Sequence, residues 1–417
     1  MITRTLGLVG AVVLFAVGAA HAACPAKIGV VLPMTGPIAP VAQGMLKAAE
    51  LAAEQVNAAG GVNGCPVKLI VRDSQGQPSL AVDAARQVID LEGARVVIGD
   101  ALSATTLAVL NSVTVPAGVP LISPTASAPT FSEIGAKTGL FYRANISDAL
   151  QGVAAAQYAK RENSGAVSIL AINSDWGQNL SRVFKTAYEK LGGTVKKIVF
   201  YNPDQPSYRA EVTSVLESQP DTLYFIGYVT EGARIVRDWI SQGGTQRLLF
   251  PHNLNDANFV SAVGPKFLTK AIWLTPGESA TPSLDNFRNG YQARYNESPN
   301  GPGRTSTYDV IMLAALAIAA AKTDSDGKAI AAAFRKVTDP AAPPIYAGEA
   351  GIKTALAAIA DGKPVNYVGA VGPLQFDASG DIAGAFVTWK LDDAGALKVT
   401  DRMNVDEVQA LRKSLTP

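Results

Sequence analysis

Short runs of consecutive apolar residues alternate along this chain with longer stretches whose apolar residues recur every three or four positions. The runs at 28–32, 67–71, 95–98 and 120–122 read as strands. The stretch 43–59 reads as a helix, with Met45, Leu46, Ala49, Ala52, Ala53 and Val56 on one face and Gly60-Gly61 as its stop. A second helix, 79–91, carries Leu80, Ala84, Val88 and Leu91 in register, and a third begins near Ser103. Wholly apolar short strands between amphipathic helices predict a parallel sheet covered on both faces.

The rhythm restarts after Arg143-Ala144-Asn145. Strands are predicted at 167–172, 195–200, 222–226 and 247–250, and helices at 177–191, 208–218 and 231–242. A strand at 271–274 then leads into a block, 282–360, that is almost all helical. The chain finishes with an apolar segment at 373–377 and a hairpin-like pair, 385–391 and 396–400. A helical block cannot supply its own sheet, so this one is expected to pack back on an earlier lobe. The chain must then cross between two lobes more than once. The Ala-rich run 310–321 is too short to span a membrane, which takes about 20 residues, and reads as a buried helix.

Composition narrows the function. The chain has 417 residues, with 36 Lys+Arg against 35 Asp+Glu. That balance lacks the basic footprint of a nucleic-acid binder. A hydrophobic share of 48% with only 17% charged residues excludes a disordered chain. Two Cys cannot build a Cys-rich zinc site.

Residues 1–22 read as an export signal: Arg4 is followed by an apolar run from Leu6 to Ala20, and Ala20-His21-Ala22 offers a small-x-small cleavage site. An uncleaved anchor is one alternative. A lipoprotein attached through Cys24 is another, although His21 stands where lipid attachment sites usually place Leu. Removing 1–22 takes Arg4 and His21 away, which balances the charges and leaves His252 as the one histidine. Export implies an oxidising compartment, so Cys24 and Cys65 are expected to pair. Each stands just before a predicted strand, and parallel neighbours would bring the two within about 5 Å. The alternative is two free buried thiols.

Several segments resemble one family. Lys27-Ile28-Gly29-Val30-Val31-Leu32-Pro33-Met34-Thr35-Gly36-Pro37 is similar to the opening of the type I periplasmic binding proteins of the leucine/isoleucine/valine-binding group. Val56-Asn57-Ala58-Ala59-Gly60-Gly61-Val62-Asn63-Gly64 resembles the end of their first helix. The same order continues through Val97-Ile98-Gly99 and Pro120-Leu121-Ile122-Ser123-Pro124-Thr125-Ala126-Ser127-Ala128-Pro129. It ends with Asp175-Trp176-Gly177, Thr307-Tyr308-Asp309 and Phe376-Asp377-Ala378-Ser379-Gly380-Asp381.

The resemblance implies an α/β chain of two doubly wound lobes joined by three crossovers, with ligand in the cleft between them. The crossovers should fall near 144–147, 274–277 and 371–374. Lobe 1 would hold 23–144 plus 275–372, lobe 2 would hold 145–274 plus 373–400, and 401–417 would form a C-terminal helix or tail. Members deliver amino acids or related small molecules to a membrane ABC permease. The implied protein is a periplasmic monomer without cofactor or metal.

Ligands of open α/β sheets bind beyond the carboxyl ends of strands. Two first-lobe loops, 100–106 and 124–129, lie there, and the family's matching positions hold a ligand α-carboxylate and α-ammonium. The carboxylate is therefore expected on Ser103 and Ser127, with Thr125, Ala126 and backbone amides completing the loop. Taken alone, Ser103 reads as a helix N-cap and Ser127 as a turn serine. Trp176 and Tyr228, beside Gly177 and Gly227, match aromatic positions that close over the ligand.

Two positions depart from the family's pattern. His252 stands where amino-acid binders commonly place a carboxylate, with Asn253 and Asp256 as the alternatives if the match slips. Val41 replaces a Tyr of some relatives. Both open the ligand range to an aromatic or keto acid or an amide. A ligand-sensing regulator of the same fold is set apart by the export signal. An enzyme is not expected: G-x-S-x-G, Walker A, H-E-x-x-H and Cys-x-x-Cys are all missing from the sequence.

Overall fold

The computed structural model describes residues 24–415 apart from Pro25, Pro37 and Glu278, so the export signal read at 1–22 lies outside the described residues. The first sheet is parallel throughout. It holds β1 (Ala26–Leu32), β2 (Val67–Asp73), β3 (Val97–Gly99), β4 (Leu121–Ser123) and β5 (Phe141–Arg143), in the order β2-β1-β3-β4-β5. The second sheet is built on β6 (Ala166–Ile172), β7 (Thr194–Tyr201), β8 (Thr222–Ile226), β9 (Leu248–Phe250) and β10 (Ile272–Pro276), all parallel.

A small third sheet joins β11 (Pro344–Tyr346), β12 (Asn366–Gly369) and β13 (Gly372–Pro373). The late hairpin, β14 (Phe386–Leu391) and β15 (Leu397–Met403), adds to the second sheet through an antiparallel pairing of β14 with β10. Two α/β lobes result, as the alternation of runs predicts.

The chain passes between the lobes three times: after β5, after β10, and between β13 and β14. The helical third block rejoins the first lobe. Its Arg304–Ala321 helix packs on the Ala39–Ala58 helix and shares a core with β1. Residues Ser306 to Ala319 of that helix are all buried, so it is apolar on every side because it is central. Asp309, on this helix, ties down the approach to the third passage. It accepts hydrogen bonds from the Tyr367 hydroxyl and from the backbone N–H groups of Ala370 and Val371, each at 2.8 Å.

Cys24 and Cys65 form a disulfide with their Cα atoms 5.2 Å apart. The register explains it: Ala26 pairs with Val67, and each cysteine lies two residues before its strand partner. The bond uses the thiol that a lipid anchor on Cys24 would need.

Some local readings change. The predicted helix 79–91 ends as an α-helix at Arg86 and continues through a π turn, Gln87–Leu91. The wider turn breaks the register, and Leu91, expected on the buried face, is 80% exposed. The short strands β5, β11 and β12 had no periodicity long enough to announce them. β15 runs to Met403, and the Val405–Leu415 helix adds Val408 and Leu415 to the second core.

Candidate functional site

The carboxyl ends of β3 and β4 carry the two first-lobe loops. Asp100 starts the first. Its Oδ1 accepts the backbone N–H groups of Ala101 and Leu102, and the helix begins one residue later, at Ser103. Leu102 is therefore the N-cap and no side chain caps this helix, so the reading of Ser103 as an N-cap is corrected. The Ser103 hydroxyl instead accepts from the N–H of Ala128 at 3.4 Å, which joins the two loops.

The second loop is held from all sides. Ser123 Oγ accepts the N–H groups of Thr125 and Ala126. The Thr125 hydroxyl donates to Ala101 O at 2.8 Å, and Thr125 O accepts from Asn145 Nδ2 at 2.8 Å. The Thr125 hydroxyl hydrogen, expected to face a ligand, is thus spent inside the loop. Ala126 and Ala128 present their carbonyls to the guanidinium of Arg143 at 3.4 and 2.9 Å. Ser127 O accepts from the N–H of Asp148, and the Ser127 hydroxyl donates to Asp148 Oδ2 at 2.8 Å. The carbonyls at 125–128 are all occupied, whereas the Ser103 hydroxyl keeps its hydrogen. The first turn of a helix also lacks intrahelical partners for its N–H groups. This half of the site is rich in donors and suits an anion.

The second lobe supplies aromatic rings. Trp176 lies in the first turn of the Asp175–Lys190 helix, capped by the Ser174 hydroxyl, which accepts from the N–H of Gly177 at 3.2 Å. A Cβ at Gly177 would overlap the carbonyl oxygen of Ile172, so glycine lets this helix start directly against β6. Gly227 is needed likewise, because a Cβ there would strike the Tyr201 hydroxyl. The two close approaches set Trp176 and Tyr228 face to face, stacked with centroids 5.2 Å apart. His252 meets the Trp176 ring edge-on at 6.2 Å. The Ser103–Val109 helix packs against the Asp175–Lys190 helix, so the donor loops and the aromatic group belong to one cluster.

His252 Nδ1 hydrogen bonds Gln151 Oε1 at 2.7 Å. Burial lowers its pKa to about 4, so the ring is neutral at ordinary pH and brings no charge. Asp256 is engaged elsewhere: its Oδ1 accepts the N–H groups of Asn258 and Phe259 and caps its own helix. Asn253 Oδ1 is buried without a hydrogen-bond partner.

The charge buried against these rings belongs to Asp148, at the start of the Asp148–Arg161 helix. Burial raises its pKa to about 7, while Ser127, Arg143 and the Trp176 indole hold it down. Its Oδ1 and the Trp176 Nε1 are both buried and outside hydrogen-bond geometry. Sequence reasoning missed Asp148, Gln151 and Arg143. For Asp148 and Gln151 the available signal was polar residues in an otherwise small and apolar stretch, 144–159. Among the described residues no group of His, Cys, Asp and Glu is arranged to hold a metal ion.

A family profile described as periplasmic binding protein matches residues 25–370. The chain belongs to the periplasmic binding protein family. Within it the similarity runs to the type I, branched-chain amino acid group. A Leu/Ile/Val-binding protein homolog of Brucella melitensis is 29% identical over 382 residues, covering 88% of this chain and 91% of that one.

Among solved structures, the leucine binding protein LivK of Thermotoga maritima superposes with a TM-score of 0.77 at 24% identity, over 91% of this chain and 99% of that one. A solute binding protein of an ABC transporter from R. palustris, solved with benzoate, superposes with a TM-score of 0.72 at 18% identity, over 91% and 96%. These two share the fold with this chain. Periplasmic binding proteins of this family bind solutes, and the family's two-lobed architecture is the one described above.

Proposed function

We propose that this chain is the extracytoplasmic solute-binding component of an ABC importer. It holds a small carboxylate, an amino acid or a related acid, in the cleft between the lobes and delivers it to a membrane permease as a monomer. The ligand carboxylate sits on Ser103 and Ser127 with the N–H groups that start the Ser103–Val109 helix; Thr125 and Ala126 shape the loop, and Trp176, Tyr228 and His252 cover the ligand. The observation that carries this reading is the juxtaposition of a donor-rich loop pair on one lobe with a stacked aromatic pair on the other. Closure of the lobes by hinge motion would bury the ligand between them.

One specific observation favours the aromatic or keto-acid branch of this reading. His252 is neutral and Asp256 is turned into its own helix cap, so the loop after β9 brings no carboxylate to an ammonium group. The R. palustris protein with bound benzoate gives the same fold an aromatic acid as ligand.

A melting-shift screen of amino acids, aromatic acids, keto acids and amides tests the reading. A true ligand at 100 times its dissociation constant stabilises the protein by about 2.7 kcal/mol. No shift with any carboxylate would sink the proposal.

A further inference from the structure

We propose that Asp148 decides whether Ser127 can donate its hydroxyl hydrogen to a bound carboxylate, so that binding an acid takes up one proton at Asp148. This rests on the reading above that places the ligand carboxylate on Ser103 and Ser127.

A serine hydroxyl has one hydrogen. Here it is committed to Asp148 Oδ2 at 2.8 Å, and both side chains are buried. While Asp148 is ionised, Ser127 Oγ turns only lone pairs toward a ligand, with a second negative charge directly behind it. A carboxylate arriving on Ser127 would meet both. Once Asp148 is protonated, its own O–H donates to Ser127 Oγ, and the Ser127 hydrogen is released toward the ligand. The proton comes from solvent, and no covalent bond between heavy atoms changes.

The surroundings favour the neutral form when an anion is present. Arg143 on β5 attracts the Asp148 charge, and it is already paired with Asp381. Asp175, from the Asp175–Lys190 helix, adds a repulsive charge. Trp176 of that helix, Tyr224 of β8 and Tyr228 before the next helix face Asp148 with neutral groups. Gln151, one turn on in its own helix, hydrogen bonds the neutral His252, which comes from the loop after β9. Oδ1 has no hydrogen-bond partner, which leaves a buried anion incompletely satisfied. Burial already lifts Asp148 to about 7, so the proton is available at ordinary pH.

Calorimetric titration of the protein with 4-methyl-2-oxopentanoate, benzoate and L-leucine at pH 6, 7 and 8, in phosphate and in Tris, reads the coupling directly. The buffer dependence of the heat should report uptake approaching one proton at pH 8. Affinity of the binding acid should fall by up to about tenfold per pH unit above pH 7. Asp148→Asn, which removes the charge and whose amide NH2 can donate to Ser127, should bind at pH 8 at least as tightly as the parent and lose the pH dependence. Ser127→Ala, which leaves the Asp148 charge in place, should weaken binding at pH 6 and make the profile shallower without flattening it. A pH-flat affinity or proton release in the parent protein overturns the coupling and leaves the carboxylate site standing. Failure of all three probes to bind overturns the site itself, and the coupling with it.

Discussion

Arg143 and Asp381, distant in the chain, close a buried ion pair with Nε 2.7 Å from Oδ1. The same guanidinium donates to Ser132 Oγ at 3.0 Å, and Ser132 in turn donates to Asp381 Oδ2 at 2.6 Å. With its bonds to the carbonyls of Ala126 and Ala128, Arg143 makes the donor loop and the third inter-lobe passage one unit. Removing Asp381 takes away the carboxylate bonded to the buried guanidinium and leaves it with neutral hydrogen-bond acceptors. Asp381→Ala should cost about 3–5 kcal/mol in urea unfolding and weaken ligand binding, because the loop loses its brace. A cost below about 1 kcal/mol would show that the pair is not holding the loop.

The disulfide closes a separation of 41 residues. In the chain-entropy treatment this stabilises the fold by about 4 kcal/mol. Cys24→Ser together with Cys65→Ser should lower the unfolding midpoint accordingly while preserving ligand binding, since the bond lies at the opposite ends of β1 and β2 from the site. Two thiols titrating in the denatured, unreduced protein would contradict the pairing.

Trp176 is the anchor of the aromatic group. Trp176→Ala should weaken binding of the cognate acid by about 30-fold, the order expected for a buried aromatic hot spot. Trp176→Phe, which keeps a ring against Tyr228, should lose less. Equal affinities for the parent and the alanine variant would remove Trp176 from the site.

The two-lobe architecture was legible because it rests on periodicity: apolar runs such as 28–32 and 167–172 can only be buried strands. The disulfide was legible because each cysteine precedes a strand. The order of motifs singled out Ser103, Ser127, Trp176, Tyr228 and His252, and the structure gathers these into one cluster. What stayed hidden were pairings across the chain. Arg143 ends β5, a strand too short to show a period, and nothing near it announces Asp381. Asp148 sits in the first turn of a helix that the sequence reading did not mark. Its role depends on Ser127, on a different lobe, reaching it. Leu91 failed for a local reason, since a π turn shifts register without a sequence mark.

Buried carboxyls favour the fold at low pH, while the buried His252, lowered to about 4 from its ordinary value of 6.5, opposes their larger combined effect. Burial raises Asp100 to about 6, and Asp148 and Asp309 to about 7, above their ordinary value of 3.8. The folded chain therefore holds protons that the unfolded chain releases between about pH 4 and 7. Their contribution is present in full below about pH 4 and is lost as pH rises through 6 to 7. The ligand-free protein should melt at a higher temperature at pH 5 than at pH 8, and Asp148→Asn should reduce the difference. The reverse order would contradict the raised values.

The most direct test of the central claim is a crystal structure with the acid that gives the largest melting shift. The ligand should lie between the lobes, its carboxylate within hydrogen-bond distance of Ser103 Oγ and of the backbone or hydroxyl of Ser127, and its body against Trp176 and Tyr228. A ligand bound outside the cleft, or bound within it with its carboxylate turned away from both serines, would contradict that claim.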